Sequence, residues 1–194
     1  MYSTLRSNDE LQSARLISYP WPHLIVDNFL ARSVLAKSLT EINSDTYSFD
    51  IGKRGSGRIE YSLLKSKTLW TALYSRRTIH LLFSAFEVPV TLSRDNWIQL
   101  RRMNADTPEF PRHNDFVPNE DSIASFLYLS SGWMQEYGGR LHLFTSENDI
   151  TPTTSIAPLQ NRFVAFQTKA CNWHSVERVY GWERLSALAL WNVG

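Results

Sequence analysis

At 194 residues, 43% of them apolar, the chain is long enough to bury one substantial core and too short to favour a second independently folding unit. Its 20 Lys and Arg stand against 19 Asp and Glu, so no electrostatic case exists for nucleic acid or an anionic membrane surface, and a small or weakly charged substrate is expected. No apolar run has the length of a signal-peptide core or a membrane span, and Cys171 is the lone cysteine, so a cytoplasmic, reducing setting without an internal disulfide is expected.

The first half has a mixed pattern. Residues 19–30, YPWPHLIVDNFL, predict a short strand at 23–26, and Leu35, Leu39 and Ile42 give residues 31–42 a helical spacing. Residues 43–62 are polar and glycine-containing, with too little apolar periodicity for a packed element, and are expected to form a mobile loop able to close over a site. Leu73, Ile79, Leu82 and Phe86 restore helical spacing over 69–86, which ends before Pro89. Two helices are thus expected to buttress a sheet.

Beyond residue 91 the pattern becomes short apolar or alternating runs at 97–103, 123–129, 140–144, 162–166 and 185–191. The expected fold is mostly β with flanking helices: an antiparallel jelly-roll barrel, a double-stranded β-helix of cupin-like type, whose interior can hold a metal and a small organic cofactor. One domain over 1–194 is expected, with the helical buttress mainly at 31–88 and the jelly-roll core mainly at 95–194.

Chemistry concentrates in that second half. His113 and Asp115 are separated by one residue, so on an extended segment their side chains point the same way, and His174 adds a second imidazole from elsewhere. Two imidazoles and a carboxylate bind one face of Fe(II) and leave other positions open for oxygen chemistry. Such a His-x-Asp pair is weak evidence alone, and Arg184 strengthens it. On a strand Arg184 shares a face with Ser186, Leu188 and Leu190, and a guanidinium facing an apolar interior needs an anion. A carboxylate ligand would accept a bidentate pair from Arg184 and a hydrogen bond from Ser186; pairing with a protein carboxylate is the competing reading. His142 alternates away from Leu141 and Leu143 and reads as a packing or surface residue, while Cys171 reads as a small packing residue rather than a ligand.

The segments YPWPHLIVDNFL, HND, SIASFLYLSSGW, YGGRLHLF and NWHSVERVYGWERLSALALW, in this order, resemble the Fe(II)/2-oxoglutarate-dependent dioxygenases, and within them the prolyl-hydroxylase-like group. The resemblance implies that His113, Asp115 and His174 ligate a catalytic Fe(II), and that Arg184, with Ser186 nearby, anchors the distal carboxylate of 2-oxoglutarate. It also implies that Tyr128 helps hold that carboxylate and that Leu141 walls the cofactor site. The implied reaction uses O2 to hydroxylate an unactivated C–H bond while 2-oxoglutarate becomes succinate and carbon dioxide, with ascorbate as a possible reductant. Asp115 stands where halogenating relatives leave room for chloride, so hydroxylation is expected.

Met103 departs from relatives that carry a tyrosine ten residues before the first histidine, and Gln99 and Arg101 share its alternation. Arg101, Met103, Arg112 and Trp173 are the candidate substrate contacts, with 104–112 a second flanking segment able to close over the site. A small metabolite or amino-acid-like substrate is the leading expectation. A peptidyl, prolyl-type hydroxylase and demethylation through hydroxylation are the alternatives, and a catalytically inactive metal-binding barrel acting as a binding module is the contrasting class. Oligomeric state is left open.

Overall fold

The computed structural model describes residues 14–54, 57–91, 97–105 and 107–194. Its fold is mostly β with flanking helices, and every strand pairing described is antiparallel. Among the described residues, the larger sheet runs in the order β1 (Ala14–Ile17), β2 (His23–Val26), β11 (Phe163–Gln167), β8 (Ser122–Tyr128), β13 (Arg184–Val193), β6 (Ile98–Met103), β4 (Gly57–Leu63) and β3 (Asp50–Arg54), with β5 (Val90–Thr91) paired to β13. A smaller sheet orders β10 (Thr154–Ile156), β9 (Leu141–Leu143), β12 (His174–Val176) and β7 (Phe110–His113). These pairings make two facing sheets, the double-stranded β-helix, rather than the closed ring that a barrel implies.

Strand alternation divides the apolar side chains between two cores. One face of the large sheet, with Leu24, Val26, Leu100, Leu127, Phe163 and Trp191, packs against the helices α1 (Arg32–Ser44), α2 (Lys67–Leu73) and α3 (Arg76–Phe86). The helices contribute Ile42, Leu69, Leu73, Leu81 and Leu82, and burying each such side chain is worth about 1.5–3 kcal/mol. The opposite face, with Ile25, Ala124, Tyr128 and Phe166, packs on Leu141, Leu143, Ile156 and Val176 of the small sheet, and the functional site lies within this second layer.

Two expectations are corrected. Residues 69–86 do not form one helix: the Ser75 hydroxyl accepts from the Thr78 amide at 3.2 Å and caps α3, while Tyr74 turns inward to stack edge-on against Trp191 at 4.8 Å. Residues 43–62 are not simply a loop, since they contain β3 and most of β4, a hairpin whose second strand pairs with β6. Its polar composition hid it: Glu60 is buried by partners on β6 and the following turn rather than by apolar contact. Helices expected to buttress the sheet at 31–88 therefore share that stretch with two strands. Among the described residues, no helix is long and apolar enough to cross a membrane.

Candidate metal centre

Cross-strand register brings the two histidines together. His113 ends β7 and His174 opens β12, and the two are direct partners in the small sheet. His113 Nδ1 lies 2.8 Å from the Pro111 carbonyl and His174 Nδ1 lies 2.9 Å from the Asn172 carbonyl. A carbonyl oxygen only accepts, so each Nδ1 carries the proton and each Nε2 presents its lone pair. Phe110 meets the His113 ring edge-on at 4.5 Å and Phe166 meets His174 at 4.9 Å, which fixes both rings.

Asp115 follows β7 by two residues. Its carboxylate oxygens lie 3.7 Å from His113 Nε2 and 3.5 Å from His174 Nε2, and one ligand atom from each of the three side chains lies within 4.8 Å of the others. A cation between them would satisfy a cost that is otherwise uncompensated, because His174 Nε2 is buried and has no hydrogen-bond partner among the described residues. Imidazole and carboxylate donors suit Fe(II), so the residues present fit that ion.

Arg184 opens β13 and is 3% exposed. Its Nε donates to the Gly139 carbonyl at 3.0 Å, Nη1 reaches the Ser186 hydroxyl at 3.4 Å, and the guanidinium lies 4.9 Å from the centre of the Tyr128 ring. Nη2 is buried without a hydrogen-bond partner, and no carboxylate pairs with Arg184 among the described residues. The competing reading of a structural ion pair therefore loses its support, and an anionic ligand fits. Burial pushes the Tyr128 phenol above its usual value, opposed by the Arg184 charge, so this phenol stays protonated and its buried oxygen is ready to donate.

One cavity joins these groups: His113, Asp115, His174, Arg184 and Ser186 all line it, as do Met103 and Arg101. Tyr128 and Leu141 are buried and do not line it; Leu141 packs with Tyr128 and Val176 in the inner core. Arg112 and Trp173 do not line it either. The Arg112 guanidinium stacks 3.8 Å from the centre of the Phe144 ring and donates to the Glu147 carbonyl. His142 lies on the other face of β9, bonded to the Ser155 hydroxyl at 2.8 Å, with burial holding its pKa below the usual value. Cys171 is exposed.

Sequence reasoning did not find the contribution of β4. Arg58, Ile59 and Glu60 line the cavity, Glu60 accepting from Arg58 at 2.9 Å and from Arg102 at 3.1 Å. Gly57 belongs here because a Cβ would collide with the Phe110 ring, which stands against His113. The available signal was the glycine followed by the alternating R-I-E-Y run.

A two-histidine, one-carboxylate cluster inside a double-stranded β-helix, beside a buried arginine with no carboxylate partner among the described residues, is the arrangement a metal-dependent oxygenase with an acidic cosubstrate needs. Residues 98–192, which carry the triad and Arg184, match the model described as 2OG-Fe(II) oxygenase superfamily, and the match together with the site supports a dioxygenase-type enzyme. The family implies Fe(II), 2-oxoglutarate and O2.

Comparison with curated protein sequences returns no match. Among solved structures, the fold is similar to a prolyl hydroxylase from Trichoplax adhaerens in complex with a hypoxia inducible factor oxygen degradation domain peptide fragment, at TM-score 0.69 and 18% identity over 88% of this chain and 83% of that one. It is also similar to a Pseudomonas putida prolyl-4-hydroxylase, at TM-score 0.67 and 16% identity over 95% of each chain. A third likeness is the non-heme alpha ketoglutarate dependent epimerase SnoN from nogalamycin biosynthesis, at TM-score 0.69 and 14% identity over 95% of this chain and 80% of that one.

Proposed function

We propose that the protein hydroxylates an unactivated C–H bond of a small metabolite or amino-acid-like substrate, with 2-oxoglutarate converted to succinate and carbon dioxide. The observation that carries this reading is the meeting of the three donor side chains, in one cavity, with an Arg184 guanidinium that has no carboxylate partner among the described residues. His113, Asp115 and His174 are assigned as the iron ligands, and Arg184 with Ser186 as the partners of the distal carboxylate of 2-oxoglutarate. Tyr128 and Leu141 support that end from behind the cavity wall.

Fe(II), 2-oxoglutarate and O2, when bound, supply the oxidising power that replaces hydrogen by hydroxyl. The chain supplies the rest. Nδ1–H bonds to the Pro111 and Asn172 carbonyls fix the ring orientations and aim each Nε2 at the site. Asp115 contributes a negative charge that offsets part of a dication, and Arg184 offsets a carboxylate in a buried setting where water competes poorly. Phe110, Phe126, Val176 and Leu188 exclude water from the space beside the triad.

A small substrate is favoured because the β3–β4 hairpin packs Gly57 onto Phe110 and narrows the cavity on that side. A peptidyl hydroxylase is the second reading, supported by the prolyl hydroxylase neighbours and by exposed Phe116 and Val117 just beyond Asp115, where a chain could lie. Demethylation follows by the same chemistry if the attacked carbon is attached to nitrogen or oxygen. We also read residues 1–194 as one oxygenase domain, and its setting as the cytoplasm, where the exposed Cys171 thiol stays reduced.

The test is anaerobic absorption spectroscopy with Fe(II) and 2-oxoglutarate. A weak visible charge-transfer band is expected in the native protein and not in His174→Ala; a native protein with no band overturns the reading. Mass spectrometry on free amino acids, peptides and cell extracts then separates the substrate classes, since oxygen incorporated only into intact protein favours the peptidyl reading.

A further inference from the structure

We propose that Arg101 recognises a carboxylate on the substrate, so that the enzyme acts on a small organic acid; this rests on the oxygenase reading above. Residues opposite one another in an antiparallel pair present their side chains to the same face of the sheet, about 5 Å apart at Cβ. Tyr128 faces Ser186 across β8 and β13, Ser186 faces Arg101 across β13 and β6, and Arg101 faces Tyr61 across β6 and β4. Arg101 thus stands one strand beyond Ser186 in a single inward row. Its guanidinium lies 5.8 Å from the centre of the Tyr61 ring, and it lines the same cavity as the triad.

Two arginines on neighbouring strands therefore face one space, but in different rows. Arg184 sits in the row of Met103, held by the Gly139 carbonyl over Tyr128, whereas Arg101 is displaced towards β4 and the hairpin side. Of the two carboxylates of 2-oxoglutarate, the one distal to the metal is assigned to Arg184. Arg58, Arg101 and Arg102 of β4 and β6 line the cavity together with the carboxylates of Glu60 and Asp115. Glu60 engages Arg58 and Arg102, and strand alternation puts Arg101 on the other face of β6 from Arg102. Whatever else Arg101 touches, it adds fixed positive charge to a wall shared with Ile59, Phe126 and Leu188, where an apolar surround strengthens attraction for an anion. A planar guanidinium suits a carboxylate, which it can hold through two parallel bonds.

The experiment uses the full chain loaded with Zn(II) and 2-oxoglutarate under argon, so that binding is read without turnover. Probes are matched acid and amide pairs: N-acetyl-L-proline and N-acetyl-L-prolinamide, phenylacetate and phenylacetamide, hexanoate and hexanamide. The native protein is expected to bind at least one acid about tenfold more tightly than its amide by ligand-observed NMR. Arg101→Gln erases that preference while keeping 2-oxoglutarate affinity within about twofold, Arg101→Lys retains part of it, and Arg184→Gln weakens 2-oxoglutarate instead. Equal binding of acids and amides by the native protein overturns the proposal, as does loss of 2-oxoglutarate affinity in Arg101→Gln equal to that in Arg184→Gln. A native protein that fails to bind 2-oxoglutarate at all overturns the oxygenase reading instead, which keeps the two failures apart.

Discussion

His113 and His174 are register partners across β7 and β12, with ring centroids 4.2 Å apart and the same bond from Nδ1 to the carbonyl two residues earlier. The ladder that holds the strands together thus also sets the spacing of the two Nε2 atoms assigned to the metal, so a bound cation would complete a geometry that the backbone already fixes. His174→Ala is expected to weaken Fe(II) retention by more than about 100-fold, because losing even an outer partner of a ligand costs up to that much. Far-UV circular dichroism should be unchanged. Metal content after desalting measures the first effect; full iron occupancy in the variant would remove His174 from the ligand set.

The cosubstrate role proposed for Arg184 carries a cost in the apo protein. Its guanidinium is buried without a carboxylate among the described residues, so Arg184→Gln should leave the apo melting temperature unchanged or raise it. The same change should raise the 2-oxoglutarate requirement by about 10- to 100-fold with little effect on iron, since a charge-assisted bond is lost. Titrating each ligand separately distinguishes this from misfolding, in which both requirements rise together.

Strand periodicity made the core strands and the His-x-Asp pair legible because each is a local pattern. The assignments of Arg112 and Trp173 relied on adjacency to the histidines, and adjacency misleads in strands: if residue i faces the cavity, its neighbours face away. Arg112 accordingly stacks on Phe144, outside the cavity. Arg101 was legible through its alternation with Met103, but its place beside Ser186 depends on the register between β6 and β13, which no local pattern encodes. Glu60 was missed because its burial is compensated by Arg102 of β6 as well as by Arg58 of its own strand, and that strand's polar composition reads as solvated.

His23 gives a pH dependence independent of the metal. It is fully buried, with Nδ1 2.9 Å from the Trp21 carbonyl and no hydrogen-bond partner at Nε2 among the described residues, and burial lowers its pKa from 6.5. Below that value the unfolded chain takes up a proton that the folded protein resists, so stability falls as the pH drops, until the lowered folded-state pKa is reached. In His23→Leu this part of the slope disappears. Urea midpoints of the apo protein at about pH 7.5 and about pH 5.5 should therefore differ less in the variant than in the native chain. Equal slopes would mean that His23 titrates alike in both states.

Gly139 couples a backbone turn to the position of Arg184. Its φ of +73° lies in the left-handed region, and a Cβ there would sit 3.3 Å from Arg184 Cδ and 3.2 Å from Val179 Cγ2, while its carbonyl holds Arg184 Nε at 3.0 Å. Gly139→Ala adds backbone strain of about 1–2 kcal/mol and presses on the arginine stem at the point where the carbonyl fixes it. The guanidinium must shift, and a displaced ion pair loses binding more than it loses chemistry. An increase of about 3- to 10-fold in KM for 2-oxoglutarate is expected, with a smaller fall in kcat and a lowered melting temperature. Saturating 2-oxoglutarate should restore most of the turnover; if it restores none, the turn acts on the metal end of the cavity rather than through Arg184.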